Sequence, residues 1–142
     1  MNPDERLQGF RLIQLIWMAL LGGVVLFGSV AWALAAGVLG GGSWTASLSP
    51  TLVRPLLLVP LALLGVGVVL RRSGVRLPDE SDPMEAYRLQ ILLVSALQEG
   101  GGLMGIALCL VAGLTSWIPV FAGLSVFAMV LSRPRVTDLD EM

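Results

Sequence analysis

The chain has 142 residues, of which 56% are apolar and only 13% charged, with a formal net charge of −1. Soluble domains carry roughly 25% charged residues. Here the charges sit in short stretches separated by long uncharged apolar runs, the pattern of a polytopic membrane protein. There is no histidine and a single cysteine, Cys109, which removes the commonest general base, any cluster of metal ligands and any disulfide within the chain. No cofactor is expected, and a chain that spends this length on membrane spans has no room for a soluble catalytic domain.

In chain order, the first span runs from about 12 to 39, its apolar core from Leu12 to Leu34. Ala33-Leu34-Ala35 looks like a signal-peptide cleavage site, but the apolar run is about twice the usual length and Asp4 and Glu5 spoil a basic leader, so the segment is expected to be kept. Gly40-Gly41-Gly42-Ser43 and Ser49-Pro50 break the chain before the second span, at about 52–70. Pro60 lies deep enough in that span to kink it. A charged loop from Arg71-Arg72-Ser73-Gly74 to Asp82-Pro83 leads to the third span, at about 89–114. Thr115-Ser116 is expected to turn the chain tightly into the fourth and shortest span, at about 117–131, where Pro119 sits in the tolerated first helical turn. The expected fold is therefore all-α, a single bundle of four transmembrane helices.

With four spans, both termini and the middle loop share one side. That side holds Arg6, Arg11, Arg71, Arg72, Arg76, Arg88, Arg133 and Arg135, and the other holds Arg54 alone. The positive-inside rule makes the arginine-rich side cytoplasmic. Trp44 and Trp117 would form an interfacial belt at the outer face, and Phe10 and Tyr87 at the inner one. The basic residues are all arginine, and the Ala/Gly/Leu/Val-rich, lysine-free composition resembles that of a GC-rich bacterial genome, so the expected location is a bacterial inner membrane.

Spans one and three match at an offset of 77: Arg11-Leu12 with Arg88-Leu89, Ala19-Leu20 with Ala96-Leu97, and Gly23, Leu26 and Gly28 with Gly100, Leu103 and Gly105. This reads as two tandem helical hairpins; chance similarity of Leu/Ala/Gly-rich helices is the alternative.

Of ten acidic residues, only Glu99 lies inside a span, eleven residues beyond Arg88, or roughly 16 Å along a helix. A carboxylate near the bilayer midplane costs about 3 kcal/mol even on the lenient insertion scale and is expected to face the bundle interior. Glu99, with Ser95 one turn back and Gln98 beside it, is the candidate ion-binding group. The alternative is a protonated Glu99 clamping helices together, with Ser29, Gln98 or a carbonyl freed by Pro60 as partner. Gly101, Gly105, Cys109 and Gly113 follow at four-residue steps and read as one small-residue ridge for helix packing. Cys109 reads as a packing residue, and Gly37-x-x-x-Gly41 is a weak dimerisation pattern. Ser95 with Glu99 is the only nucleophile–base pair and lacks an orienting third group, so an enzyme is not expected.

Two resemblances follow from these residues. Leu12-Ile13-Gln14-Leu15-Ile16, Ala19-Leu20-Leu21-Gly22, Ala96-Leu97-Gln98-Glu99-Gly100 and Arg133-Pro134-Arg135 resemble a family of small uncharacterised bacterial four-span inner-membrane proteins, which implies no activity. Where that family carries a histidine, this chain has Trp17. Gly65-Val66-Gly67, the arginine-bearing loop and Ala96-x-x-Glu99 with Gly105-Ile106 are similar to the hairpin of rotary ATPase proteolipids, whose matching Glu carries a proton or sodium ion. The proteolipid glycine ladder is reduced here to Gly65 and Gly67, interrupted by Pro60. The sequence thus points to a structural or accessory membrane subunit or, alternatively, to a proton- or sodium-linked module built on Glu99. The expected partners are the lipid bilayer and either further copies of the chain or a larger membrane complex, with no nucleic acid.

Overall fold

A computed structural model describes residues 3–38, 47–73 and 83–135. Trp44, Gly41, Arg76 and the acidic residues of the middle loop and the C-terminal tail lie outside them. Among the described residues there are five α-helices and one 3-10 turn: α1 (Pro3–Ala35), α2 (Pro50–Leu56), α3 (Leu58–Ser73), α4 (Pro83–Val111), the turn Thr115–Trp117, and α5 (Ile118–Leu131). No strand occurs among the described residues.

Proline and glycine set the ends. Pro50 opens α2 and Pro119 is the second residue of α5, positions where the missing N–H costs nothing. Helices α1 and α4 close on the same device. Gly37 (φ 71°) and Gly113 (φ 68°) take the left-handed conformation, and the next residue bonds back five positions, Val38 N to Ala33 O at 3.0 Å and Leu114 N to Cys109 O at 2.8 Å. This is the glycine-terminated Schellman motif. Gly37 therefore ends the helix, and its partner in the dimerisation pattern, Gly41, lies outside the described residues. The reversal into α5 falls on Ala112–Leu114, and Thr115 and Ser116 already belong to the 3-10 turn. The second apolar segment breaks at Leu57, three residues before Pro60, whose ring and missing N–H cannot continue the preceding turn.

Among the described residues three apolar helical stretches are long enough to cross a membrane, Leu7–Ala35, Pro50–Ser73 and Glu85–Val111, with a shorter one at Thr115–Leu131. Their outer faces are hydrophobic, with Leu26, Leu58, Val69 and Phe127 largely exposed. Such a surface suits lipid rather than water.

Helix α4 is central and packs against α1, α3 and α5; α1 also packs on α5, and α3 touches α5 more lightly. Helices α1 and α3 form no packed pair. The first two apolar segments are thus consecutive without being a closed hairpin, and α4 stands between them. The repeat has a different spatial meaning. Gly23 lies beside Glu99, Val24 beside Gly102 and Gly28 beside Ile106, so α1 and α4 run side by side in the same direction, shifted by 76 to 78 positions. Residues that match in sequence sit at the same depth.

Two apolar clusters cap the bundle. Phe10, Ile13, Tyr87 and Ile91 form one, and Ala31, Val53, Leu57, Ile106, Cys109, Ala112, Ile118 and Phe121 form the other. Phe10 and Tyr87 are buried in the first, not set out as an interfacial belt, because i, i+3 spacing to Ile13 and i, i+4 spacing to Ile91 puts them on the inward stripe. Trp32 and Trp117, both exposed, occupy the opposite end. The first cluster marks the arginine end. Arg71 lies over the Tyr87 ring, 5.7 Å from its centroid, and the Gln90 amide donates to Leu70 O at 3.2 Å, which holds the end of α3 against the start of α4. Arg11, Arg72, Arg88, Arg133 and Arg135 are at this same end, and Arg54 is at the other.

Candidate functional site

Between the two clusters lies a layer where glycine replaces side chains and polar groups face inward. Gln98 is its centre and is fully buried. Helical side chains lean toward the N-terminus, so the Gln98 amide reaches past the end of α5, where Nε2 donates to Ser132 Oγ at 2.8 Å. Ser125 Oγ donates to the Gln98 backbone carbonyl at 2.9 Å. The room is made by glycine. A Cβ on Gly67 of α3 would come within 2.8 Å of Gln98 Cγ, and one on Gly102 would collide with the Ser125 side chain. One atom of the cluster is unmet: Gln98 Oε1 is buried without a hydrogen-bond partner.

Glu99 is elsewhere. One residue along a helix is a 100° rotation, and it carries Glu99 out of the core to the groove between α4 and α1. There Oε1 stands 3.4 Å from where a Cβ on Gly23 would be, and the side chain is half-buried. The expectation that Glu99 faces the bundle interior is therefore corrected: the adjacent Gln98 takes that place. None of the proposed clamp partners holds it. Ser29 Oγ donates to Val25 O of its own helix, Gln98 points to α5, and the Pro60 carbonyl faces Gly101. Among the described residues Glu99 has no hydrogen bond or ion pair. Ser95 is buried and makes no hydrogen bond to Glu99 among them.

The four-residue ridge divides as well. Gly101 admits α3, with Pro60 O 3.0 Å and Leu63 and Leu64 3.2 Å from its would-be Cβ, whereas Gly105 admits the Phe121 ring of α5. Cys109 is fully buried in the apolar cluster, and Gly113 lies beyond the helix. Steps of four overshoot a turn by 40°, so such a row winds from one neighbour to the next. Trp17 donates its indole N–H to Met129 O at 3.2 Å and ties α1 to the last turn of α5. Among the described residues no three His, Cys, Asp or Glu side chains come together as a metal site.

The arrangement thus separates two polar functions: an amide cluster that joins α4 to α5 in the core, and a lone carboxyl presented at the outer groove of the two repeat-related helices. Compared with family models, curated proteins and solved structures, the chain matches none.

Proposed function

We propose that the protein is a four-span inner-membrane subunit, with both termini cytoplasmic, that serves a structural or accessory role in a larger membrane assembly. The observation that carries this is the position of Glu99. The core polar groups are used to hold this chain's own helices together, whereas Glu99 is turned outward without a partner. An unpaired carboxyl facing hydrocarbon costs about 3 kcal/mol at the midplane. A neighbouring transmembrane segment that supplies a hydrogen-bond donor removes that cost. The arginine asymmetry of the two ends supports the orientation.

The test is purification from the native membrane in a mild detergent. The expected result is a complex that Glu99→Leu disperses while the variant protein remains folded. Recovery of the wild type as a free monomer would sink the accessory reading.

The same half-exposed position supports a second reading, in which Glu99 carries a proton or sodium ion, because the carboxyl is reachable from outside the bundle. A hydrophobic carbodiimide applied to native membranes decides it. Labelling of Glu99 that falls with rising pH, or that sodium blocks, supports ion exchange. Labelling indifferent to both leaves the accessory role.

A further inference from the structure

We infer that the end of α5 holds a bound water site, fed from the arginine end, in which water satisfies Gln98 Oε1. The inference takes its sense of depth from the four-span reading and otherwise stands on three observations.

The first is chemical. A buried amide oxygen without a partner carries a desolvation cost of about 1–3 kcal/mol, and native interiors meet such groups with protein or ordered water. Gln98 is fully buried and its Oε1 has no partner. Rotating the amide by 180° does not help. Oε1 would then accept from Ser132 Oγ, and Nε2 would be the orphan. A cation meets only the first orientation, and Arg133 follows directly on Ser132. Water donates or accepts and fits both.

The second concerns the backbone. Helix α5 stops at Leu131, and Ser132 to Arg135 leave the helix. The last turn is level with Trp17, whose indole bonds Met129 O. Trp17 lies six residues inside Arg11, or about 9 Å. Non-helical backbone at membrane depth is tolerated only where it is buried in protein or lines a water-filled cavity. The third is the exposure pattern of that segment. Ser132 and Pro134 are buried while Arg133 and Arg135 are exposed, so one face of the segment packs inward at the cluster and its arginines reach outward. Ser132 then joins two environments, with the Gln98 amide on one side and the arginine end on the other.

The chain makes the site easy to observe, because it has four glutamines: Gln8, Gln14, Gln90 and Gln98. With side-chain amide nitrogen labelled in Gln and the full chain in lipid bilayers, water-to-protein magnetisation transfer reads which amides touch water. Single replacements Gln8→Glu, Gln14→Glu and Gln90→Lys identify the Gln98 signal, the lysine keeping a donor for Leu70 O. The expected result is a Gln98 build-up as fast as that of exposed Gln8, lost in Gly67→Ala, whose Cβ displaces Gln98 Cγ. Transfer from lipid acyl chains to Leu26 and Phe127 in the same sample tests the spanning placement separately. Acyl contact with a Gln98 that receives nothing from water overturns the water site alone. Absence of acyl contact overturns the spanning placement, and the depth argument with it.

Discussion

Adding one methyl group at Gly105 tests whether α4 and α5 are held at glycine distance. A Cβ there would come within 2.6 Å of Phe121 Cγ and 2.7 Å of Cε1. Carbon atoms pack at about 3.5–4.0 Å, so the helices must part by about 1 Å or the ring must move. The ring has little freedom, being buried among Ile106, Cys109 and Ile118. Overpacking of this kind costs about 1–3 kcal/mol. The same movement stretches the Ser125–Gln98 hydrogen bond from 2.9 Å beyond its useful range and adds about 1 kcal/mol. Replacing a helical glycine by alanine returns about 1 kcal/mol. The net expectation for Gly105→Ala is a loss of about 1–3 kcal/mol in reversible unfolding from mixed micelles. Gly100→Ala is the control, because nothing lies within 4 Å of its would-be Cβ; it is expected to be neutral or to gain up to about 1 kcal/mol. A double-mutant cycle of Gly105→Ala with Ser125→Ala should be non-additive, since both act on one interface. A Gly105→Ala protein as stable as Gly100→Ala would refute the packing argument.

Three further outcomes follow from the same geometry. Trp17→Phe keeps an aromatic side chain but removes the donor to Met129 O and part of the indole's packing, and unfolding should show a loss of at least about 1 kcal/mol. Gly113→Ala, at φ 68°, should lose about 1–2 kcal/mol from left-handed strain in the same assay, and the helix-to-helix reversal should become more sensitive to proteolysis. Gly23→Ala puts a methyl 3.4 Å from Glu99 Oε1. It should crowd the carboxyl outward and speed carbodiimide labelling with little effect on stability; slower labelling would mean that Glu99 enters the core.

Much of the architecture is legible in the order of residues. The long apolar runs expected at about residues 12–34, 52–70 and 89–114 are helical, the third as far as Val111, as suits segments that must satisfy their backbone internally to cross lipid. Pro50 and Pro119 mark where helices begin, and Pro60 predicts the break that falls at Leu57. The 77-residue repeat also has a structural counterpart, in two parallel helices at one depth that end on the same glycine motif. Glu99 as the lone acidic residue of a span, and Cys109 as a packing residue, follow from composition and depth.

What the sequence alone does not decide is direction around each helix. Every face of these segments is largely apolar, so periodicity gives no strong inward stripe, and the cost of a carboxylate in hydrocarbon points Glu99 rather than Gln98 toward the core. Tertiary packing decides between them. Gly67 on α3 and the serines at 125 and 132 on α5 leave room and partners for an amide, while Gly23 on α1 leaves only an open groove for the carboxyl. The same holds for the glycine row, which four-residue spacing joins and the winding of the helix divides between α3 and α5. Depth in the membrane is written along the chain because it needs only counting from charged ends. Facing is not, because it depends on which neighbour carries the glycine.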